Sequence, residues 1–193
     1  DAPTLEVVVG VLAGLVNKMI VTELSARGIR AAGISGADAG TIAATVHPPV
    51  DGVDLGFVGF PSGADPALVL ALLDAGFVPV VASIAAGPDG ALLNVNADAA
   101  AAALAPALGA DRLVFLTDVE GLLDGAGALI TRLSRAQAEE LLHAPFVGGG
   151  MRPKLGACIS ALNAGVPYVA IAGPSLHRTV LEDGKGGTIL VAA

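Results

Sequence analysis

The sequence predicts an α/β protein: a three-layer αβα sandwich around a mostly parallel central sheet. Three observations carry this reading. Segments of helical periodicity alternate with short apolar runs, the pattern of βαβ units whose strands are covered on both faces. The 193 residues are 54% hydrophobic and only 15% charged, which is enough apolar material for a sizeable core. Glycine and proline, 26 and 12 in number, punctuate the ends of segments and do not form a low-complexity tract.

The elements follow in order. Asp1 reads as an N-cap with Pro3 in the first turn, and Leu5, Val8, Val9, Leu12, Val16, Ile20 and Leu24 recur at helical spacing up to a stop at Gly28. Ile29 to Ile34 is a strand, followed by the small-residue loop Ser35 to Gly40. Residues 41–60 read as short strands around a turn at Pro48-Pro49. Asp65 caps a helix that Pro66 and Ala67 open and Gly76 closes. Phe77 to Ser83 is β-rich, Gly87 to Gly90 turns into Leu92-Leu93-Asn94, and an alanine helix spans Ala97 to Leu108. Arg112 to Leu116 is the next strand. Ser134 and Gln137 form a capping box for a helix to about His143. Gly148 to Gly150 is a flexible loop, and Pro153 sits in the first turn of a helix that Gly165 ends. Tyr168 to Ile171 is a strand, Leu176 to Leu181 a short helix, and Thr188 to Val191 the strand that closes the sheet. Gly109 is the best lobe boundary, dividing 1–108 from 109–193, because a self-contained βαβαβ run follows it.

Composition excludes several functions. Ten basic against 18 acidic residues give a net charge of −8, which repels nucleic acid. The mean hydropathy of +0.75 comes from short runs, with no window near the ~20 unbroken apolar residues of a membrane span. Cys158 is the one cysteine, so no internal disulfide forms and a cytoplasmic setting is expected. It reads as a small buried hydrophobe, and His47, His143 and His177 as surface or loop residues without metal-ligand spacing. Lys18 and Lys185 read as solvated.

Three segments fall where ligands bind in open α/β sheets, beyond the carboxyl ends of strands. Asn94-Val95-Asn96-Ala97-Asp98 offers two amides and a carboxylate to a polar ligand, or equally a set of helix caps. Thr117 to Asp124 follows a strand with a Gly121-containing turn, which suits a nucleotide or is simply a solvated acidic loop. Gly148-Gly149-Gly150-Met151-Arg152-Pro153-Lys154 leaves backbone N–H groups open at a helix start and sets an ammonium beside them. It is not a Walker A loop. Lys154 opposes the helix dipole there, which an anionic ligand explains; the alternative is a surface lysine laid along apolar neighbours.

Taken together with Gly14 to Lys18, Gly33 to Asp38, Asp54 to Gly59 and Leu108 to Ala110, these segments resemble the amino acid kinase superfamily, and within it the acetylglutamate kinases. The Asn94 to Asp98 stretch is the most specific part. The resemblance implies an amino acid kinase-like fold and ATP- and Mg2+-dependent phosphorylation of the side-chain carboxylate of N-acetyl-L-glutamate. It implies that Lys154 stabilises the transferring phosphoryl group, Asp98 orients the catalytic lysines, and Asn94 with Asn96 holds the substrate. Thr117, Asp118, Val119, Gly121, Leu122, Leu123, Phe146, Val147, Gly148 and Met151 would frame the nucleotide. It further implies a cytoplasmic homodimer with no nucleic-acid or membrane partner. The family's Lys-x-Gly-Gly loop, second glycine loop and substrate arginine precede the segment matching Asp1. The expectation is therefore a chain whose first quarter lies outside these residues and which is incomplete for turnover alone. The alternatives are a kinase for another amino acid or carrier-bound aminoadipate, or an inactive nucleotide- or amino-acid-binding subunit.

Overall fold

The computed structural model describes residues 1–173 and 186–192. The expected helix Leu176 to Leu181, with His177 and Lys185, lies outside the described residues. The chain divides into two compact units, Asp1–Leu108 and Gly109–Ala193.

The first unit opens with a helical run in three parts: α1 (Ala2–Val9), a π-helical segment Gly10–Val16, and α2 (Asn17–Ala26). Asp1 caps it as expected, its carboxylate accepting the Thr4 N–H at 2.9 Å, and Gly28 ends it at φ 78°. The π segment was not foreseen, because apolar spacing does not distinguish one helical pitch from another over so few turns. By length and composition this run is also long and apolar enough to cross a membrane, with a mean hydropathy of 1.8 in its most apolar window. Glu6, Lys18 and Glu23 interrupt it, so it contains no unbroken apolar stretch of that length. Its inner side lies on a two-stranded parallel sheet, β1 (Ala31–Ser35) and β4 (Val78–Ala82), in register Gly33 to Val80.

Between those strands run β2 (Ile42–Val46), β3 (Val58–Ala64) and the helix α3 (Ala67–Asp74). Asp65 Oδ1 accepts the Ala67 N–H at 2.9 Å, as its capping role requires. After β4 come β5 (Ile84–Ala86), β6 (Leu92–Val95) and the alanine helix α4 (Ala97–Ala107). Strands β2, β3, β6 and β5 pair in a closed ring, not as members of one open sheet. The hairpin β2–β3 and the pair β5–β6 are antiparallel, while β3–β6 and β2–β5 are parallel. Consecutive strands in this ring are joined directly, by residues 47–57 and 87–91, and so pair antiparallel, whereas parallel partners need a crossover. Ile42, Ala44, Ala85, Leu93, Val95 and Ala100 form the buried cluster inside.

The second unit holds one four-stranded sheet in the order β7-β9-β10-β8. Its strands are β7 (Arg112–Leu116), β8 (Arg132–Ser134), β9 (Tyr168–Ala172) and β10 (Thr188–Val191). Helices α5 (Arg135–Leu141) and α6 (Met151–Asn163) pack on it. Strand β10 pairs antiparallel with β9 and parallel with β8, so the sheet is parallel except at one pairing. Strand β8, three residues long, is not among the expected strands, since so short a run carries no readable periodicity. The core is dense: Leu155, Cys158, Val169, Ala170, Ile171 and Leu190 are fully buried.

The capping box of α5 is formed, Ser134 Oγ accepting the Gln137 N–H and Gln137 Oε1 accepting the Ser134 N–H at 2.8 Å. Ser134→Ala leaves one helix N–H without its partner. It should lower stability by about 1 kcal/mol, read as a shifted denaturation midpoint with an unchanged slope.

Candidate functional site

In the first unit the polar triplet after β6 separates into three roles. Asn94 lies within β6, half-buried, with its backbone N–H donating to Phe57 O at 2.9 Å. It borders a small cavity of about 80 Å3 whose walls include Thr4, Leu5 and Val8 of α1 and Phe57 and Val58 from the β3 side. Asp1 at the start of the helical run also lines it, so the recess sets polar groups of Asp1, Thr4 and Asn94 among apolar walls, which suits a short acyl or alkyl group carrying polar atoms. Asn96 is the N-cap of α4, its Oδ1 accepting the Ala99 N–H at 3.1 Å. The capping alternative therefore describes Asn96 itself. Asp98 is half-buried in the first turn of α4, where the dipole favours a carboxylate.

In the second unit the loop after β7 is anchored by its backbone. Thr117 N–H donates to Ala172 O at 2.9 Å, and Thr117 Oγ1 reaches Asp118 Oδ1 at 3.2 Å. Val119 passes so close to Gly173 that a Cβ at Gly173 would stand 2.2 Å from Val119 O. A Cβ at Gly121 would meet Thr188 Oγ1 at 2.7 Å. The buried Thr188 hydroxyl accepts the Leu122 N–H at 2.8 Å and donates to Ile130 O at 2.6 Å. Leu122 points into the core and Leu123 outward, so Leu122 can meet a ligand only through its backbone. Asp124 closes the loop by accepting the N–H groups of Ala126 and Ala128, both at 2.9 Å.

Helix α6 brings its start to the same strand. Gly150 is its N-cap and has no side chain; Met151 N–H donates to Gly148 O at 3.2 Å and Pro153 carries no N–H, so what the helix start offers an anion is chiefly its dipole. Lys154 is half-buried, and its ammonium stands 5.5 Å from the ring centroid of Phe115, in β7 two residues before Thr117. The lysine thus points toward the strand end from which the Thr117 loop departs. Arg152 is committed elsewhere: its Nε and Nη2 donate to Val147 O at 3.1 and 2.7 Å. That contact fixes the Phe146 to Gly148 turn, with Val147 buried and Phe146 exposed.

Lys154 and the Thr117 loop are therefore neighbours within one unit, as are Asn94 and the capped start of α4 in the other. Gly173, Thr188 and the α1 wall of the Asn94 cavity were missed. Glycine and threonine are common, and only the contact across many residues marks these as special. His47 Nδ1 donates to Pro48 O at 2.7 Å and its ring meets Phe60 edge-on, and Cys158 is fully buried.

The sequence profile of the amino acid kinase family matches residues 1–173. An acetylglutamate kinase of Methanopyrus kandleri is 52% identical over 171 residues, covering 86% of this chain and 70% of that protein. An acetylglutamate kinase of Sphingopyxis alaskensis is 46% identical over 192 residues, and there the match covers 94% of this chain but 64% of the relative's length. Among solved structures, an N-acetylglutamate synthase of Neisseria gonorrhoeae, complexed with coenzyme A and N-acetyl-glutamate, superposes with a TM-score of 0.77. It is 26% identical, with 93% of this chain and 42% of that one covered.

Thr188→Val keeps the shape and removes the hydroxyl that serves two loop backbone groups. It should cost about 1–3 kcal/mol. Hydrogen exchange should show the Leu122 amide losing protection while the amides of β9 keep theirs.

Proposed function

The chain belongs to the amino acid kinase family, and on that premise we propose that it serves the ATP-dependent phosphorylation of the side-chain carboxylate of N-acetyl-L-glutamate. The observation that supports this most is the identity of 46–52% to acetylglutamate kinases across nearly the whole chain. On this reading the first unit supplies the acyl-amino-acid residues and the second the nucleotide residues.

The chemistry asks little of a general base. The substrate carboxylate is already ionised, so its oxygen attacks the γ-phosphorus of ATP directly. A C(O)O–P bond forms, the bond from γ-phosphorus to the bridging oxygen breaks, and ADP leaves with that electron pair. What the reaction needs is positive charge and N–H donors around the phosphoryl oxygens. Lys154 and the positive dipole end at the start of α6 have that character. Asn94 would bind the acyl amino acid beside the apolar wall of Leu5 and Val8. Asp98 would orient the ammonium groups, and Asn96 would hold the start of α4. The Thr117 to Leu123 loop, with Phe146 to Gly148 and Met151, would seat the nucleotide, mostly through backbone. Among the described residues no three His, Cys, Asp or Glu side chains gather as a metal cage. Mg2+ would be carried on the ATP phosphates, as this ion favours.

A second reading keeps the ligands and drops the transfer: a binding subunit for an amino acid or nucleotide. The fold similarity to a synthase favours it, because that enzyme carries this architecture within a longer chain. In either case we place the protein in the cytoplasm as a homodimer. The side of the helical run bearing Val7, Val11, Leu15 and Met19 is exposed and apolar, which a second copy would cover.

A coupled ADP-release assay on the full-length protein, with N-acetylglutamate, N-acetylaspartate and glutamate, separates these readings. Turnover with N-acetylglutamate above the other two is expected. Saturable binding without ADP release identifies the binding subunit. Lys154→Ala should lower kcat by ~100-fold or more while ATP still binds; near-normal turnover would remove its assigned role. Asp98→Asn should lose most activity with the fold intact, whereas a fall in thermal stability alone makes it a cap. In sedimentation equilibrium, Leu15→Glu should shift the protein from dimer to monomer.

A further inference from the structure

Within the fully described helical run Ala2–Ala26, Asn17 is the one buried side chain, at 2% exposure. It is polar, and all its groups are engaged. Its Nδ2 donates to Ile34 O at 3.1 Å in β1 and to Val80 O at 2.8 Å in β4. Its Oδ1 accepts from Lys18 Nζ at 3.0 Å, and the same ammonium donates to Gly33 O at 3.1 Å. The amide lies where a side chain at position 33 would be: a Cβ there would stand 1.9 Å from Asn17 Oδ1. One helix is thus tied to two strands by one side chain.

The π segment explains how Asn17 comes to face the sheet. Its backbone N–H donates to Leu12 O, five residues back, and a π turn takes up one residue more than an α turn. Each such insertion rotates everything downstream by roughly 100° about the axis. Upstream of the segment, α1 packs on β6 and presents Leu5 and Val8 to the Asn94 cavity. Downstream, α2 packs on β1 and β4. Strand β4 in turn leads to Ser83, whose carbonyl accepts the N–H of Val95, the neighbour of Asn94, at 3.0 Å. The cavity is held from two directions, and both converge on Asn17.

We propose that Asn17 is a positioning residue for this cavity: by locking the π-to-α junction onto β1 and β4, its amide sets where Leu5 and Val8 stand relative to Asn94. This rests on the reading that the cavity takes the acyl amino acid. Asn17 touches no reacting atom, so its loss acts through geometry.

The test uses the full-length protein with Asn17→Leu, which keeps the volume and removes both donors, and Gly33→Ala, which displaces the amide without altering Asn17. Both should raise KM for N-acetylglutamate by ~10-fold or more and leave KM for ATP within about twofold, the scale of a small misplacement at a site. Asn17→Ser, with a single donor, should fall between and decides the matter if the leucine variant does not fold. An unchanged KM for N-acetylglutamate, or equal increases for both substrates, overturns the proposal. So does a lowered Tm with unaltered kinetics. If the unmodified protein shows no turnover, the kinase reading fails instead. Hydrogen exchange then reads the lock directly: the amides of Leu5 to Asn17 should lose protection in Gly33→Ala, and unchanged protection refutes it.

Discussion

The amide of Asn17 closes on the carbonyls of Ile34 and Val80, and the hydroxyl of Thr188 closes on Leu122 and Ile130. Both obey one constraint. A backbone donor or acceptor removed from water must find a partner, and neither a sheet of only two strands nor a loop supplies one for every group. Among the described residues, Asn17 in the first unit and Thr188 in the second meet this need from a distant segment. Thr188 serves the loop after β7 directly, whereas Asn17 is linked to Asn94 only through β4 and the Ser83–Val95 hydrogen bond. Fold and site are therefore joined through the same few hydrogen bonds, and among the described residues no buried side-chain polar atom is left without a partner.

What the sequence made legible is what local chemistry determines. Asp1, Asp65 and Ser134 are caps because their short oxygens reach N–H groups two or three residues on, and that relation is visible in any window of four residues. Gly28, Gly76 and Gly165 stop helices at positive φ for an equally local reason. The ring of β2, β3, β6 and β5 and the antiparallel β9–β10 pair depend on which strands meet, and the hydrophobic pattern of a short strand does not encode that. The π segment was hidden for a related reason: its residues are as apolar as those of an α-helix.

The candidate site divides along the same line. Asn94, Asp98 and Lys154 stood out because polar groups at strand ends and helix starts are conspicuous in a chain with so little charge. Lys154 could be singled out because the chain has three lysines in all, and its neighbour Arg152 turns out to be engaged with Val147. The glycines at 121 and 173 gave no such signal. Their meaning lies in the atoms that come within 3 Å of the missing Cβ, which belong to Thr188 and Leu129 at Gly121 and to Val119 and Glu120 at Gly173. The net charge of −8 adds a physical point. A protein of this sign that handles anions must rely on local donors, because its long-range field repels them.

The space beside Gly33 has a consequence for how this sequence can change over time. Asn17 fills the volume that any other residue at 33 would claim, so neither position can drift on its own. A lone change at 33 collides with the amide. A lone change at 17 to an apolar residue leaves two carbonyls unanswered. Only paired replacements keep both in order, so the two sites, 16 residues apart along the chain, behave as one heritable character. In any divergent copy of this gene, a side chain at the position of Gly33 should be accompanied by a smaller residue at the position of Asn17.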